Sequence, residues 1–359
     1  MTKKIKIMFT GGGSAGHVTP SFPLIQALKI KSINVLYVGS TNGIERSLVN
    51  SLNIPYYSIT TGKLRRYWSW KNFLIPFQVF VGIVQSFLIC LSLKPNIIFS
   101  KGGFVTLPVV IGAWLNRIPV IIHESDLTPG LANRLSFPFA KLICITFFST
   151  AQYFKNRKKI LVTGMPIREF LYHGDRIQGL KFCGFTEKKP VLLIMAGGLG
   201  SATINDTIRR LINTLTKNFQ IIHLCGKGKL DLNFSKIAGY RQFEYLETEL
   251  TDVLACADLV VSRAGASSIS ELVALKKPHI LLPLSRKVSR GDQIENAKYF
   301  SLKGLSTVLY AEEFSDIKLL KTIFYSYEHL LLMKKKLAQV NQIDSTKLIV
   351  DELIRHANN

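Results

Sequence analysis

Glycine-rich segments that each follow a short β-rich run are the natural places to look for chemistry in this chain. The first reads Thr10-Gly-Gly-Gly-Ser-Ala-Gly-His-Val-Thr-Pro20. Its glycines let backbone N–H groups approach a ligand, and the start of a following helix favours negative charge, so a phosphate suits it, as does a plain tight turn. It is not G-x-x-x-x-G-K-[ST], which argues against a nucleotide-triphosphate loop. The dinucleotide fingerprint also requires an acidic ribose partner, and Leu36 to Ser40 contain none. His17, with an ordinary pKa near 6.5, is placed for proton transfer at a helix start; capping or packing is the other role open to it.

Two more segments follow in the first half, Ser100-Lys-Gly-Gly-Phe-Val-Thr-Leu-Pro108 and His123-Glu-Ser-Asp-Leu-Thr-Pro-Gly-Leu-Ala-Asn133. Glu124 and Asp126 come directly after an apolar run, at a strand's carboxyl end where side chains face a crevice. Asp126 or Thr128 is equally suited to capping a helix through Asn133. In the second half, Ala196-Gly-Gly-Leu-Gly-Ser201 repeats the phosphate-friendly pattern, and Ser262-Arg-Ala-Gly-Ala-Ser-Ser-Ile-Ser-Glu271 follows another apolar run. Glu271 can accept two hydrogen bonds from a ribose diol, or serve as an acid near a helix N-terminus. The stretch from Gly291 to Asn296 adds polar groups suited to a sugar. There is no D-x-D, H-E-x-x-H, G-x-S-x-G or Cys/His cluster, so neither a metal centre nor a serine hydrolase is expected.

Positioning these loops requires strands. Ile5 to Phe9, Asn34 to Val38, Asn96 to Ser100, Pro119 to Ile122, Leu142 to Ile145, Val191 to Met195, Gln220 to Leu224, Asp258 to Ser262 and His279 to Leu282 are apolar runs alternating with helix-length segments, which predicts parallel sheets. A polar, strand-poor stretch from Gly164 to Pro190 separates two series. The expected class is α/β, with two doubly wound parallel-sheet domains over 1–163 and 164–340. Residues 341–359 are expected to form a terminal helix that packs on either domain.

The 359 residues carry 46 basic and 23 acidic side chains, a formal charge of +23 that attracts polyanions. Nucleic acid, anionic lipid and phosphorylated substrates all fit that charge. Five scattered cysteines suggest no disulfide framework and a reduced compartment. Too few apolar residues precede Gly11 for a secretory signal. Phe73 to Leu93 has no charged side chain and is long enough to span a bilayer, but Pro76, Gly82, Gln78 and Gln85 favour a buried or membrane-touching helix.

Taken in order, the segments at 10–20, 100–114, 118–134 and 262–278 resemble the MurG family of UDP-N-acetylglucosamine transferases, with similarity from about residue 5 to residue 300. The resemblance implies a GT-B fold, two Rossmann-like domains facing across a cleft, the first taking the lipid acceptor and the second the nucleotide sugar. It implies inverting transfer of GlcNAc from UDP-GlcNAc to the C4 hydroxyl of MurNAc on undecaprenyl-pyrophosphoryl-MurNAc-pentapeptide, lipid I, with no cofactor, no metal and no nucleic-acid partner. By position, Ser14, Ala15 and Gly16 match residues that touch donor sugar or acceptor diphosphate. His17 is the first candidate for the base and Glu124 the second. Asn133 matches an asparagine facing the cleft, and Asp126 stands where many members have asparagine. Arg168 matches an arginine thought to meet the donor diphosphate, and Leu246 a residue whose backbone reads uracil. Ala266, Ser267, Ser268, Ile269, Ser270 and Glu271 match the ribose and phosphate segment, and Gln293 a glutamine that contacts GlcNAc. Gly198 replaces the family's serine in the third glycine loop, and Met165 replaces its usual asparagine or threonine. An apolar patch ringed by Lys63, Arg65, Arg66, Lys71 and Lys94 is implied to meet an anionic inner leaflet, making the protein peripheral on the cytoplasmic side. A transferase acting on another membrane lipid, or a sugar-nucleotide binding protein without turnover, would share several of these features.

Overall fold

The computed structural model describes residues 5–62 and 70–358, which form two units: residues 1–167 with 343–359, and residues 168–342. The division follows Ile167, a few residues beyond the expected boundary, and the chain's last helix belongs to the first unit.

The first unit is a seven-stranded parallel sheet built from β1 (Lys6–Thr10), β2 (Asn34–Ser40), β3 (Tyr56–Ile59), β4 (Ile97–Ser100), β5 (Val120–Glu124), β6 (Leu142–Ile145) and β7 (Ile160–Val162). Their order is β3-β2-β1-β4-β5-β6-β7. Central strands are apolar on both faces because helices cover both. In β1, Ile7 and Phe9 enter one core with the C-terminal helix residues Ile349, Val350 and Leu353, while Met8 enters the other with Val109 and Ile122. The C-terminal helix Ser345–Ala357 is anchored near the start of β4, where the Asn96 amide donates to the Ala357 carbonyl at 3.4 Å.

The second unit is a six-stranded parallel sheet of β8 (Val191–Met195), β9 (Gln220–Leu224), β10 (Tyr240–Phe243), β11 (Leu259–Ser262), β12 (His279–Leu281) and β13 (Thr307–Val308), ordered β10-β9-β8-β11-β12-β13. In each sheet the order reverses once, between β1 and β4 and between β8 and β11. Loops leaving the two strands on either side of such a reversal diverge to opposite faces and open a crevice at the strands' carboxyl ends. All the glycine loops named above except the 123–133 segment leave one of those four strands.

The uncharged segment forms the helix Ile75–Leu93, with Pro76 in its first turn and Lys94 ending it in the left-handed region at φ 45°. It is long and apolar enough to cross a membrane by length and composition, but it is not the mainly buried helix that is one of the two expectations: 17% of its most apolar window is buried. Its buried residues are the small ones, Gly82, Ser86 and Cys90, spaced four apart on one face. They pack against the helix Thr106–Leu115, whose Gly112 lies against Ser86 so closely that a Cβ there would come within 2.8 Å. The large apolar side chains point outward instead: Phe77, Phe80, Val84, Leu88 and Leu91 are between 43% and 66% exposed. Lys63, Arg65 and Arg66 of the expected basic ring lie outside the described residues, as does the Lys71 side chain.

Candidate functional site

At the first reversal, the loop after β1 does not run straight into a helix as expected. Two short 3-10 turns, Ala15–His17 and Thr19–Ser21, intervene before the helix Phe22–Ile30. Ser14 and Gly16 are exposed, and Ala15 and His17 half-buried, so His17 is accessible but five residues short of the helix itself. The glycines are held by internal partners. Gly12 N–H donates to the Gly102 carbonyl (3.2 Å), Tyr37 Oη–H to the Gly11 carbonyl (2.9 Å), and Gly13 N–H to Glu45 Oε2 (3.2 Å). Glu45 is fully buried at the start of the helix Ile44–Asn50, and its other oxygen takes the Ser40 N–H at 2.9 Å and the Ser40 hydroxyl. The acid that follows β2 thus stands at position 45, beyond the stretch Leu36 to Ser40, and turns back to hold the glycine loop.

Glu124 and Asp126 do stand at the carboxyl end of β5, yet both are buried rather than open to a crevice. Glu124 Oε1 accepts the Asp126 N–H (3.0 Å), and Oε2 accepts the Gly130 N–H (3.1 Å) and the Asn133 side-chain amide (2.8 Å). Both Glu124 oxygens are therefore occupied as hydrogen-bond acceptors within the segment that follows β5. The helix Leu131–Ser136 is preceded by Gly130 and has no side-chain cap, so neither Asp126 nor Thr128 plays that part. His123, in β5, bonds through Nε2 to the Gly164 carbonyl (2.9 Å), and burial with nearby Lys101 holds its pKa well below the ordinary imidazole value.

At the second reversal, Arg168 Nε donates to Glu271 Oε1 at 2.9 Å, both side chains less than a fifth exposed. Glu271 is the sixth residue of the helix Ala266–Ala274, beyond its first turn, so its partner is the guanidinium and not the helix terminus. That bond uses one of five guanidinium N–H donors; the η nitrogens carry the other four. Ser267, Ser268 and Ser270 are half-buried on this helix, Ala266 is buried, and Ile269 is fully buried, so its side chain serves the core. Gly198 is exposed in the third loop, and Leu246 is buried just beyond β10. Gln293, in the helix Asp292–Leu302, receives the Leu284 N–H at 3.2 Å through Oε1.

Sequence reading missed the groups beneath the third loop. Arg263 Nη2 donates to Ser201 Oγ (2.8 Å), tying the loop after β11 to the loop after β8. Asn205 donates to the Cys225 carbonyl (2.9 Å) and meets His223 Nε2 at 3.0 Å, while His223 Nδ1 meets the Tyr240 hydroxyl at 2.9 Å. Burial lowers the His223 pKa to about 3. The readable signal was a histidine inside the apolar run of β9, since a buried polar group there demands partners.

Comparisons with known proteins agree with this architecture. Residues 7–145 match the model of the glycosyltransferase family 28 N-terminal domain, and residues 191–353 that of its C-terminal domain. The UDP-N-acetylglucosamine--N-acetylmuramyl-(pentapeptide) pyrophosphoryl-undecaprenol N-acetylglucosamine transferase of Legionella pneumophila (strain Lens) is 55% identical over 306 residues, 85% of this chain and 84% of that protein. The transferase of the same name from Clostridium perfringens (strain SM101 / Type A) is 53% identical over 321 residues, 89% of this chain and 90% of that protein. Among solved structures, Acinetobacter baumannii MurG shares the fold with a TM-score of 0.76 at 23% identity, covering 98% of this chain and all of its own. The calicheamicin glycosyltransferase CalG4 shares it at 0.72 and 12% identity, covering all of this chain and 99% of its own. The fold is thus the GT-B class that the resemblance implied, and with both halves matched and more than half of the aligned residues identical to named relatives, the chain belongs to glycosyltransferase family 28 and, within it, to the MurG transferases.

Proposed function

We propose that the protein transfers GlcNAc from UDP-GlcNAc to the C4 hydroxyl of the MurNAc of lipid I, with inversion, forming lipid II in peptidoglycan synthesis. The observation that carries this reading is the 55% identity, over 84% of its length, to a transferase whose name specifies that donor and acceptor. The geometry supports a division of labour. In the second unit, Glu271 takes the ribose diol and Arg168, through its η nitrogens, neutralises charge developing on the departing UDP. Gln293 faces GlcNAc. In the first unit, His17 takes the proton from the acceptor hydroxyl as its oxygen attacks C1 from the face opposite UDP. His17 is preferred to Glu124 because both Glu124 oxygens already hold backbone and amide donors. Glu124, with Asn133, then shapes the loop that meets the acceptor.

The protein works at the cytoplasmic face of the inner membrane as a peripheral enzyme. The outward row of Phe77, Phe80, Val84, Leu88 and Leu91 supplies the apolar contact. Neighbouring cations, including Lys94, each add on the order of 1 kcal/mol at an anionic surface.

The deciding experiment is transfer from labelled UDP-GlcNAc to a short-chain lipid I analogue. Wild type should turn over, and His17→Ala should lose about 10²-fold or more in kcat, with Glu124→Gln losing less per folded molecule. A folded wild type that binds UDP-GlcNAc without turnover refutes the acceptor assignment. Flotation with anionic vesicles should fall when Phe77 and Phe80 are both changed to Ser; undiminished flotation refutes the membrane face.

A further inference from the structure

Lys101 is the one lysine in the chain whose side chain is fully buried among the described residues. It follows β4 directly, inside the second glycine loop. An ammonium is costly to bury unless it is paired. Here Nζ donates to Ser125 Oγ in the loop leaving β5, and the Glu124 and Asp126 carboxylates both favour its charge. Its backbone N–H donates to the Thr10 carbonyl at 2.8 Å, and the next residue, Gly102, accepts from Gly12 at 3.2 Å. Three loops of the first unit therefore converge on this residue: the two of the first reversal, after β1 and after β4, and the one after β5. No step of the transfer described above uses it.

We propose that Lys101 is a positioning residue for the acceptor: its buried ammonium fixes Ser125 and the Glu124–Asp126 segment against the first two glycine loops, holding together the surface on which the acceptor is aligned. This rests on the transferase reading. It also accounts for two carboxylates buried two residues apart at the end of β5, since a buried cation offsets their mutual repulsion. Burial lowers the Lys101 pKa to about 8, against the pull of the two carboxylates. The groups facing it are His123 and Glu124 at the end of β5, Asp126 beyond it, and Tyr37 of β2, whose hydroxyl reaches the adjoining Gly11. His123 and Tyr37 stay neutral in this range, because burial pushes the first well down and the second well up. The lysine is thus the group whose charge changes near pH 8. Above that pH the amine still reaches Ser125 but no longer balances the carboxylates.

The test compares full-length wild type, Lys101→Met, Lys101→Arg and Ser125→Ala from pH 6 to 10. Steady-state kinetics with the lipid I analogue are measured alongside direct binding of UDP. Wild-type kcat/KM for the acceptor should fall as pH rises through about 8. Lys101→Met should lower it on the order of 10- to 100-fold and lack that limb, the size expected for a lost charge-assisted bond. Lys101→Arg should move the limb upward, because a guanidinium stays charged past pH 12. UDP affinity should be unchanged, since its residues belong to the other unit. Should Lys101→Met fail to fold, Ser125→Ala carries the test, with acceptor KM raised several-fold and UDP affinity intact. Retention of wild-type acceptor kcat/KM with the same alkaline limb in Lys101→Met overturns the proposal, as does a fully wild-type Ser125→Ala. Absence of turnover by folded wild type overturns the transferase reading instead, and is seen before any variant is made.

Discussion

The glycine loops of the first unit are closed against one another, whereas the third loop, in the second unit, is open along its outer side. A Cβ at Gly103, whose φ is +94°, would lie 2.0 Å from the Gly12 carbonyl oxygen. At Gly198 and Gly265 an added Cβ would meet nothing within 4 Å. Similar composition therefore serves two ends. In the first unit glycine allows two backbone segments to approach, and the polar groups of the loops are held by Glu45, Tyr37 and Glu124. In the second unit Gly200 likewise lies against backbone, where a Cβ would come 1.8 Å from the Cys225 carbonyl oxygen, but the stretch at Gly197 and Gly198 is left with room for a ligand, and Arg263 bonds Ser201 of the loop. A glycine loop seen in sequence thus announces a close approach, and what approaches it, protein or ligand, is decided elsewhere.

The strongest challenge to this contrast is Gly103→Ala. With a left-handed backbone and a carbonyl in the way, it should cost more than about 3 kcal/mol and abolish a cooperative thermal transition in the first unit. A normal melt would show that the two loops are not closed as described. Next in size, Arg168→Met should reduce kcat/KM for UDP-GlcNAc about 10²-fold while leaving the acceptor KM within about twofold, because it removes a charge-assisted donor and leaves Glu271 without its ion pair. An equal loss toward both substrates would contradict the assignment of donor contacts to the second unit.

Acid acts on both units through buried histidines. The first holds His123, whose pKa burial pushes well down, and the second holds two, His279 lowered to about 4 and His223 to about 3. His279 lies between the Lys277 carbonyl at 2.7 Å and the Ser306 hydroxyl at 2.5 Å, and burial outweighs the carbonyl's pull toward the charged form. Both are protonated near pH 6.5 when unfolded, so their contribution is complete above that pH and is lost as pH falls from about 6.5 toward 4. Each costs roughly 1.4 kcal/mol per pH unit in that window. Calorimetry from pH 7 to 4.5 should show the second unit's melting temperature falling, with a shallower slope in His279→Asn; identical slopes would rule out this histidine as a source of the acid sensitivity. The smallest effect is expected from Gly198→Ser, which restores the residue usual in the family. Stability should change by less than about 0.5 kcal/mol, and donor KM should fall two- to fivefold through one added hydroxyl, roughly the worth of a neutral hydrogen bond. A destabilised protein would mean that the outer side of the loop is occupied.

Nine strands were legible as apolar runs, and the four that were not, β3, β7, β10 and β13, are the four sheet edges. Edge strands are covered on fewer sides, so their residues are mixed: in Tyr56–Ile59 only Ile59 is buried, in Tyr240–Phe243 only Tyr240, and β13 is two residues long. The glycine loops were legible because they sit at fixed places after central strands. The resemblance was legible because it lies in local motifs: Arg168 and Glu271 were both marked, although nothing local revealed that they pair across 103 positions.

Local sequence thus determined the parallel α/β class, the position of each loop and the apolar character of the helix Ile75–Leu93, because burial by near neighbours leaves a periodic trace. Tertiary structure alone decided which side chains hold the loops shut, that this helix turns its small residues inward and its large ones outward, and that the last helix packs on the first sheet. The contacts responsible join Lys101 to Ser125, Gly13 to Glu45 and Asn96 to Ala357, the last pair 261 residues apart. A single polar residue that finds its partner so far along the chain leaves no pattern among its neighbours, so its role exists only once the sheet has assembled.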